Sequence, residues 1–318
     1  MVKKLTVALI AGGFSAEREV SLNSARHVLE ALDKEKYRVV QYDPKTDLAK
    51  LVQNAPRIDV ALIMLHGPLG EDGTVQGLLE LLNIPYQGSG VLGSAVAMNK
   101  VLSKQLYETA GLPMPPYVVI HKQEPFNPET CAGQLGFPVV IKPANGGSSI
   151  GVSVVRTPEA LAGAVETAFD QDDAVLMEAF LEGTELTVAV LGNDRLETLP
   201  VVEIIPDKQH PFFNYKAKYD PGATQEICPA RIDDAMAERA RTYAKMAHQS
   251  LFCRGYSRTD MILKDREIYV LETNTIPGMT ANSLLPLSAK TAGISFSRLL
   301  DQLIDLGLAA HPRRGGNG

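Results

Sequence analysis

The chain has 318 residues, 45% of them hydrophobic and 21% charged, with a formal net charge of −6 at pH 7. This length and composition predict a globular protein of more than one domain and exclude a wholly disordered chain, a collagen and a small disulfide scaffold. The acidic balance without a basic tract argues against nucleic-acid binding, and no segment approaches the ~18 apolar residues of a membrane-spanning helix. The three widely spaced cysteines form no CxxC pair, which favours free thiols in a reducing cytoplasm over a zinc site or a disulfide framework.

The first 90 residues alternate between apolar runs and amphipathic segments. Strands are predicted at residues 5–10, 37–42, 59–65 and from 85, and helices from 17, at 46–53 and at 74–82. Residues 5–10 follow Lys3-Lys4 as the apolar part of a signal peptide would, but the glycine turn and amphipathic helix after them favour a strand. The alternation predicts a parallel sheet with helices on both faces. Ligands bind at the carboxyl ends of such strands, where residues 12–15 and 66–73 fall.

Residues 91–183 are predicted to form a small α+β domain. Its helices are expected at 91–97, 100–110 and 158–169, and its strands at 117–121, 138–142, 150–155 and 175–180. A further α+β domain follows, with strands at 185–191, 198–205, 256–263 and 267–274 and helices at 233–251 and 295–306. Within it, residues 206–225 carry three prolines and no hydrophobic period, which is typical of a functional lid or a disordered loop. Residues 309–318, rich in glycine and arginine, are predicted to be a disordered tail.

A glycine-rich loop follows Lys142, between two predicted strands. Its sequence is Pro143-Ala-Asn-Gly146-Gly-Ser-Ser-Ile-Gly151, and its consecutive amides can cradle a phosphate beside a fixed positive charge. It is not a Walker A motif, because the lysine precedes the glycines. The sequence alone leaves two interpretations open, a phosphate-binding loop or a flexible hairpin tip with a solvated lysine. Gly12-Gly13, after the first strand, does not form the GxGxxG fingerprint of a dinucleotide site either.

The last two predicted strands form a hairpin that carries three candidate metal ligands. The period of two places Glu272 and Asn274 on one face of their strand, and Arg258 and Asp260 on one face of the other. A three-residue turn at 264–266 would bring all of them to one surface with Arg258 opposite Glu272, whereas a two-residue turn would separate them. Oxygen ligands in this arrangement suit Mg²⁺, and the alternative is a solvated sheet face with an Arg–Glu pair. The irregular, glycine-bearing loop after Asn274 favours the metal site.

Two positions in the N-terminal part are ambiguous on their own. Glu17 and Ser21 share one face of the first helix, because they are four residues apart. His66 ends an apolar strand, where a single histidine is at least as often structural as functional. Each of these residues could therefore be a structural or surface residue rather than part of a site.

Taken together, five stretches resemble the D-alanine–D-alanine ligase family of ATP-grasp enzymes. In the family's order, they are Gly12-Gly-Phe-Ser-Ala-Glu17-Arg-Glu-Val-Ser21, His66-Gly-Pro-Leu-Gly-Glu-Asp-Gly73, Val139-Val-Ile-Lys142-Pro with Gly147-Ser-Ser-Ile-Gly151, Tyr215-Lys-Ala-Lys-Tyr219, and Leu271-Glu-Thr-Asn274-Thr-Ile-Pro-Gly278-Met-Thr. The resemblance implies an α/β ATP-grasp fold, in which an N-terminal parallel-sheet domain (1–90) is followed by central (91–183) and C-terminal (184–308) subdomains that clamp ATP. It also implies a cytoplasmic homodimer.

The resemblance further implies roles for individual residues. ATP is expected at Lys100, Lys142, Ser148, Ser149, Glu178, Phe180, Leu181 and Glu185, two Mg²⁺ or Mn²⁺ ions at Asp260, Glu272 and Asn274, and D-alanine at Glu17, His66, Ser283 and Leu284. Glu17, Ser148 and Tyr219 would form a hydrogen-bonded set that holds the lid shut. Arg258 and the amide of Gly278 would stabilise the reaction's oxyanion. Two positions depart from the common family pattern, since Gly146 stands where many members carry Glu and Ala179 where Lys is common.

The reaction implied is the joining of two D-alanines to D-alanyl-D-alanine, through an acyl phosphate formed from ATP, for peptidoglycan precursor synthesis. Three alternatives remain open. A ligase joining D-alanine to D-lactate or D-serine would use the same scaffold, although Tyr219 goes with an amine nucleophile in this family. A nucleotide-binding regulatory module would have no need of Arg258, and a nicotinamide oxidoreductase would need the glycine fingerprint that Gly12-Gly13 fails to provide.

Overall fold

The computed structural model describes residues 3–147, 150–206, 224–280 and 283–311. Three of the predicted site residues, Ser148, Ser149 and Tyr219, lie outside the described residues, as does most of the predicted lid at 206–225. The described residues form three sheets, and none of their helices is long and apolar enough to cross a membrane.

The N-terminal sheet is parallel, as the alternating sequence predicts. Its strands are β1 (Leu5–Ile10), β2 (Tyr37–Tyr42) and β3 (Val60–Ile63), in the order β2-β1-β3. Its helices are α1 (Arg18–Ala31), α2 (Pro44–Asn54) and α3 (Thr74–Leu81). The strand predicted from residue 85 is wrong in extent, because only a single bridge joins Tyr86 to Ala61.

Strand β1 is buried on both faces, because its alternate residues enter two different cores. Val7 and Leu9 pack with apolar residues of α1, while Ala8 and Ile10 pack with apolar residues of α2 and α3. Helices therefore cover both faces of this sheet, as predicted. The first of the two cores also contains Tyr256 and other residues from the C-terminal part of the chain, so this face of β1 belongs to a core that the N-terminal and C-terminal parts share.

The second sheet is antiparallel and lies in the middle of the chain. Its strands are β4 (Tyr117–His121), β5 (Val139–Pro143), β6 (Ser153–Val155) and β7 (Ala174–Ala179), in the order β4-β7-β5-β6. Its helices are α4 (Val91–Met98), α5 (Lys100–Thr109), α6 (Pro128–Leu135) and α7 (Leu161–Phe169), the last preceded by a 3₁₀ turn. Helix α6 was not predicted, since its eight residues include a glycine and show little apolar period.

The third sheet has six strands, five of them hydrogen bonded in the order β11-β10-β8-β12-β13, with β9 paired to β8. The strands are β8 (Thr184–Gly192), β9 (Glu197–Thr198), β10 (Val202–Pro206), β11 (Thr224–Ile227), β12 (Gly255–Lys264) and β13 (Glu267–Asn274). The helices are α8 (Asp234–Ser250), α9 (Leu284–Thr291) and α10 (Phe296–Ala310).

Two helices in this part differ from the predictions, one because it was not predicted and one because it is longer than predicted. Helix α9 was missed because of Pro286, which lies in the first turn, where an amide has no intrahelical acceptor in any case. Helix α10 continues through Ala310, so the tail predicted from residue 309 starts too early. Leu299 and Leu303 on this helix are fully buried in the core shared with β1, and Leu308, beyond residue 306, packs against the same core.

Candidate active site

The hairpin β12–β13 brings its four polar residues to one surface, but not by the predicted turn. Lys264 pairs with Glu267, so the turn has two residues, which alone would place the two sets on opposite faces. A β-bulge at Leu271 restores the alignment, because the register shifts between Asp260 and Met261. Asp260 therefore lies opposite Glu272, and Arg258 lies opposite Asn274. The predicted common face is confirmed, while the predicted turn and the pairing of Arg258 with Glu272 are wrong.

Asp260 is the centre of a hydrogen-bond network on this surface. Arg258 donates to both of its carboxylate oxygens at 2.9 and 2.8 Å, a bidentate arrangement. Thr187 on β8 donates its hydroxyl to Asp260 Oδ1 at 2.6 Å, and the Asn274 amide nitrogen donates to Oδ2 at 3.1 Å. Since the nitrogen of Asn274 points to Asp260, its side-chain oxygen is the atom left to accept a cation. The potential metal ligands on this face are thus two carboxylates and one amide oxygen, which is the set of ligands that Mg²⁺ or Mn²⁺ prefers.

This set contains only two acidic side chains. In keeping with that, no group of three or more His, Cys, Asp or Glu is placed to hold a metal within the part of the chain that the structure describes. A metal held here would need an amide oxygen, water or substrate oxygens to complete its coordination.

Glu17 lies at the start of α1 and is almost completely buried. A Cβ added at Gly67 or at Gly147 would lie 3.2 Å from Glu17 Oε2, so the turn after β3 and the glycine-rich loop both approach this carboxylate closely. Ser21, one turn further along α1, is fully buried and accepts a hydrogen bond from the amide of Gly12 at 2.8 Å. The shared helix face predicted for Glu17 and Ser21 therefore has a physical basis: one residue reaches the site and the other fixes the preceding loop.

An ion pair that was not predicted also holds this loop. Asp43 accepts a hydrogen bond from the amide of Gly13 at 3.0 Å, and it pairs with Arg18 at 2.6 Å. Arg18 in turn donates to the carbonyl of Gly13 at 3.1 Å. Gly12 has a φ of +92°, and a Cβ there would lie 2.6 Å from side-chain atoms of both Arg18 and Asp43. Only glycine fits this close approach without strain.

His66 and Glu71 lie beside Glu17, at the end of β3 and in the turn after it. Burial lowers the pKa of His66, and Arg258 acts in the same direction while Glu17 opposes it. Burial, reinforced by the Glu17 carboxylate, raises the pKa of Glu71 to about 8. Glu71 accepts a hydrogen bond from the amide of Gly67 at 2.8 Å. Glu17 and Arg258 therefore both act electrostatically on His66. Glu71 was not singled out from the sequence, although it stands in the quoted stretch.

The central part of the chain contributes a group of buried charges. Lys100 donates to the carbonyl of Gly146 at 2.6 Å, which places this lysine at the glycine-rich loop. Lys142 and Lys104 each form an ion pair with a different carboxylate oxygen of Glu178. Although burial disfavours its charge, the two ammonium groups lower the pKa of Glu178 to about 2. Burial opposes the charge of Lys142 too, but Glu178 and other carboxylates outweigh this effect and raise its pKa.

Lys142 also connects this group to the hairpin. The carboxylates that stabilise its positive charge include Glu272 on β13 and Glu185 on β8 as well as Glu178. Phe180 and Leu181 directly follow β7 and are partly buried, with Arg156 lying 6.0 Å from the centre of the Phe180 ring. Among the residues expected to bind ATP, those that the structure describes therefore come from α5, from the second sheet with the residues just after β7, and from β8 of the third sheet.

The loop after β13 begins beside the N-terminal part of the chain. The Ile276 side chain is buried in the core around β1, and its amide is hydrogen bonded to Glu71. A Cβ at Gly278 would lie 2.9 Å from the hydroxyl of Ser283. Ser283 accepts a hydrogen bond from the amide of Thr280 at 3.0 Å and immediately precedes α9. Leu284 is buried, whereas Ser283 is only partly buried. The hydroxyl of Ser283 is therefore the side-chain group here that can form a hydrogen bond to a substrate.

The arrangement suits transfer of a phosphoryl group followed by attack at a carbonyl. Lysines near a glycine loop can neutralise phosphates, and oxygen ligands on the hairpin can hold a divalent cation. An arginine on the same surface, beside a loop with backbone amides, can stabilise an oxyanion. A buried carboxylate such as Glu17 can bind an ammonium group.

Comparisons with known proteins agree with this description. The family model described as "D-ala D-ala ligase C-terminus" matches residues 106–305, and that described as "D-ala D-ala ligase N-terminus" matches residues 6–49 and 41–89. A D-alanine–D-alanine ligase from Syntrophobacter fumaroxidans is 60% identical over 96% of this chain and 98% of its own length. The corresponding protein from Desulfotalea psychrophila is 54% identical over 96% of each.

Solved structures extend the likeness to the fold. The D-alanine–D-alanine ligase from Bacillus anthracis complexed with ATP has a TM-score of 0.86 and 36% identity, covering 98% of this chain and 100% of its own. The VanG D-Ala:D-Ser ligase from Enterococcus faecalis has a TM-score of 0.82 and 33% identity, covering 96% and 100%. The ATP-grasp fold expected from the sequence is confirmed by these neighbours. On the family models and on relatives that match along almost its whole length, this chain belongs to the D-alanine–D-alanine ligase family.

Proposed function

We propose that this chain catalyses the ATP-dependent joining of two D-alanines to D-alanyl-D-alanine, releasing ADP and phosphate, for the synthesis of peptidoglycan precursors. The observation that carries the proposal is the meeting of three groups at one place. These are the lysines at the glycine-rich loop, the Arg258–Asp260 network on the hairpin, and Glu17 with His66. Each serves a different step of an acyl-phosphate ligation.

The first step requires a triphosphate and a carboxylate, both negatively charged, to approach each other. In the proposed complex, ATP lies between the central (91–183) and C-terminal (184–308) domains, with Lys100 and Lys142 at its phosphates and Glu178, Phe180, Leu181 and Glu185 around its adenosine part. Asp260, Glu272 and Asn274 would hold two Mg²⁺ or Mn²⁺ ions. The ions supply charge neutralisation at the triphosphate.

Glu17 and His66 position the first D-alanine in this proposal. The buried Glu17 carboxylate pairs with the ammonium group, which directs the substrate carboxylate toward the γ-phosphate. Transfer of the phosphoryl group turns that carboxylate into an acyl phosphate, a better electrophile. Ser148, Ser149 and Tyr219, which lie outside the described residues, are proposed to cover the phosphates and, with Glu17, to exclude the water that would hydrolyse this intermediate.

The second D-alanine binds with its carboxylate near Ser283 and Leu284, and its free amine attacks the acyl carbon. The C–N bond forms, the acyl C–O bond to phosphate breaks, and the departing phosphate takes up the excess proton of the amine. The oxyanion that forms is stabilised by the guanidinium of Arg258 and the amide of Gly278. Because Arg258 is held by two hydrogen bonds to Asp260, it needs little reorganisation when the oxyanion forms, which is the condition under which such donors are most effective.

A second candidate differs in the nucleophile. The likeness to the VanG D-Ala:D-Ser ligase supports D-serine as an alternative second substrate on the same scaffold. In this family, Tyr219 goes with an amine nucleophile, which disfavours the hydroxyl of D-lactate. The relatives at 60% and 54% identity are named D-alanine–D-alanine ligases, which favours D-alanine.

The test is phosphate release from ATP by the purified chain with a panel of D- and L-amino acids and D-lactate, with the products identified by mass. We expect release that depends on D-alanine, with the dipeptide as product. Release that needs no D-amino acid would refute the ligase, and a mixed product formed mainly with D-serine would favour the second candidate. Sedimentation of the same sample tests the proposed homodimer, and cell fractionation tests the proposed cytoplasmic location.

A further inference from the structure

Lys104 is a buried lysine that the proposed function does not yet use. It lies on α5, one turn after Lys100, and its side chain is only 2% exposed. It forms an ion pair with one carboxylate oxygen of Glu178, whose side chain is also 2% exposed, while Lys142 pairs with the other oxygen. One buried carboxylate is therefore shared by two ammonium groups.

The sheet pairing explains how the three charges meet. Glu178 on β7 lies opposite Tyr117 on β4 and opposite Val140 on β5. Lys142 is two residues beyond Val140, so it is the diagonal neighbour of Glu178 on the same face. Lys104 reaches this face from α5, and its ammonium lies 5.3 Å from the centre of the Tyr117 ring.

Stability alone does not account for a lysine at this position. Taking charges out of water is costly, and replacing buried ion pairs by hydrophobic residues of similar size is often neutral or stabilising. Tyr107, three residues further along the same helix, is fully buried in an apolar core, so this part of α5 lies against the protein interior. The presence of a charge here therefore calls for a role in the site.

The charge balance indicates that role. Burial lowers the pKa of Lys104, while its ion pair with Glu178 favours the charged form. With both lysines charged, two lysines and one glutamate give this face a net charge of +1, whereas Glu178 and Lys142 alone would be neutral. Glu272 and Glu185 also stabilise the charge of Lys142, in addition to Glu178. Without Lys104, the charge of Lys142 would be taken up by protein carboxylates rather than by a bound anion.

We propose that Lys104 is a positioning residue for ATP, which neutralises Glu178 and so leaves the positive charge of Lys142 available to the phosphates. This inference rests on the proposed function, since it takes Lys142 as a phosphate-binding residue. It goes beyond it by assigning a role to a lysine that makes no contact with the nucleotide itself. Because Glu178 is also assigned to the adenosine part of ATP, the effect on the phosphates is measured as the ratio of ATP to adenosine affinity, in which a change common to both ligands cancels.

The experiment compares the affinities of ATP and adenosine for the unaltered chain and for Lys104→Met, by calorimetry in the absence of D-alanine. We expect the ratio of ATP to adenosine affinity to fall at least about tenfold, the order expected for one uncompensated charge near a phosphate at a partly buried site. The Michaelis constant for ATP should rise in step, while that for D-alanine stays within about twofold. Lys34→Met, at an exposed position of the N-terminal part, is the matched control and should leave the ratio unchanged.

A second pair of variants separates this role from a structural one. Lys104→Met combined with Glu178→Gln removes both charges, so the ratio should recover toward the unaltered value, because the carboxylate that Lys104 neutralised is removed together with it. Lys104→Arg keeps the charge and should hold the ratio within about threefold, by the same electrostatic argument. Should the methionine variant fail to fold, Lys104→Gln is expected to show the same fall in the ratio.

The outcomes are distinguishable from those that test the proposed function. An unchanged ratio in Lys104→Met, or no recovery in the double variant, overturns the role of Lys104 even if the unaltered chain makes D-alanyl-D-alanine. Conversely, an unaltered chain that binds ATP but releases no phosphate with D-alanine refutes the ligase, while the affinity ratio still tests the charge balance around Lys142.

Discussion

Replacing Arg258 with alanine tests the proposed oxyanion donor. The substitution removes two hydrogen bonds to Asp260, of 2.9 and 2.8 Å, from a pair whose side chains are 12% and 14% exposed. Asp260 keeps its hydrogen bonds from Thr187 and Asn274, so we expect the free energy of unfolding to fall by only about 1–3 kcal/mol. Loss of an oxyanion donor typically lowers the rate by ~10²–10³, and dipeptide formation should fall by at least that factor.

The assay measures D-alanine-dependent phosphate release and dipeptide formation, with ATP affinity measured separately by calorimetry. ATP affinity should stay within about threefold, because the phosphates are assigned to lysines and the reaction loses stabilisation only in its transition state. Arg258→Lys should recover part of the rate, since lysine keeps the charge but not the planar fork. Arg241→Ala, which removes a surface salt bridge to Glu238 on α8, is the control and should leave dipeptide formation and ATP affinity unchanged. Near-normal ligation by Arg258→Ala would refute the assignment.

Two further predictions concern the framework of the site. Gly12→Ala should destabilise the chain by at least ~1–2 kcal/mol and raise the Michaelis constant for D-alanine, because a Cβ there would lie 2.6 Å from Arg18 and φ is +92°. Gly133→Ala, at an open helical position, should instead be neutral or slightly stabilising in the same thermal melts, and equal effects would contradict the steric argument. Burial lowers the pKa of His248 from 6.5 to about 4. The neutral, buried histidine therefore contributes fully to stability above pH 6.5. As the pH falls from 6.5 toward 4, the free energy of unfolding should decrease by about 3 kcal/mol, because only the unfolded chain takes up the proton. Unfolding by urea from pH 7 to pH 4 should show a flatter pH dependence for His248→Gln but not for His121→Gln, which is exposed on β4, and a parallel decline in all three chains would refute this linkage.

The hairpin illustrates how far the sequence predicts this site. The period of two places Glu272 and Asn274 on one face, and this holds in the structure. The predicted turn does not hold, since Asp265 and Arg266 form a two-residue turn with positive φ values of 50° and 65°, without the glycine or asparagine that usually marks such a turn. The bulge that compensates has no signal in the sequence; it lies in the pairing of β12 with β13, whereas the pairing of β12 with β8 is in unbroken register.

Residues that act across long distances in the chain were the ones that sequence analysis missed. Asp43 holds the Gly13 loop from the end of β2, and Lys104 reaches Glu178 from a helix that lies far from it in sequence. Both are charged residues in segments with an ordinary amphipathic pattern, so nothing local distinguishes them from surface residues. Glu71 could have been found, because it lies in the quoted stretch after His66 and is one of its few charged residues.

The most direct test of the whole account is a crystal structure of the chain grown with ATP and Mn²⁺, using anomalous scattering to locate the metal. We predict anomalous peaks among the side-chain oxygens of Asp260, Glu272 and Asn274, with the triphosphate beside them and within reach of Lys100 and Lys142. A triphosphate bound away from this hairpin, or manganese held by other residues, would contradict it.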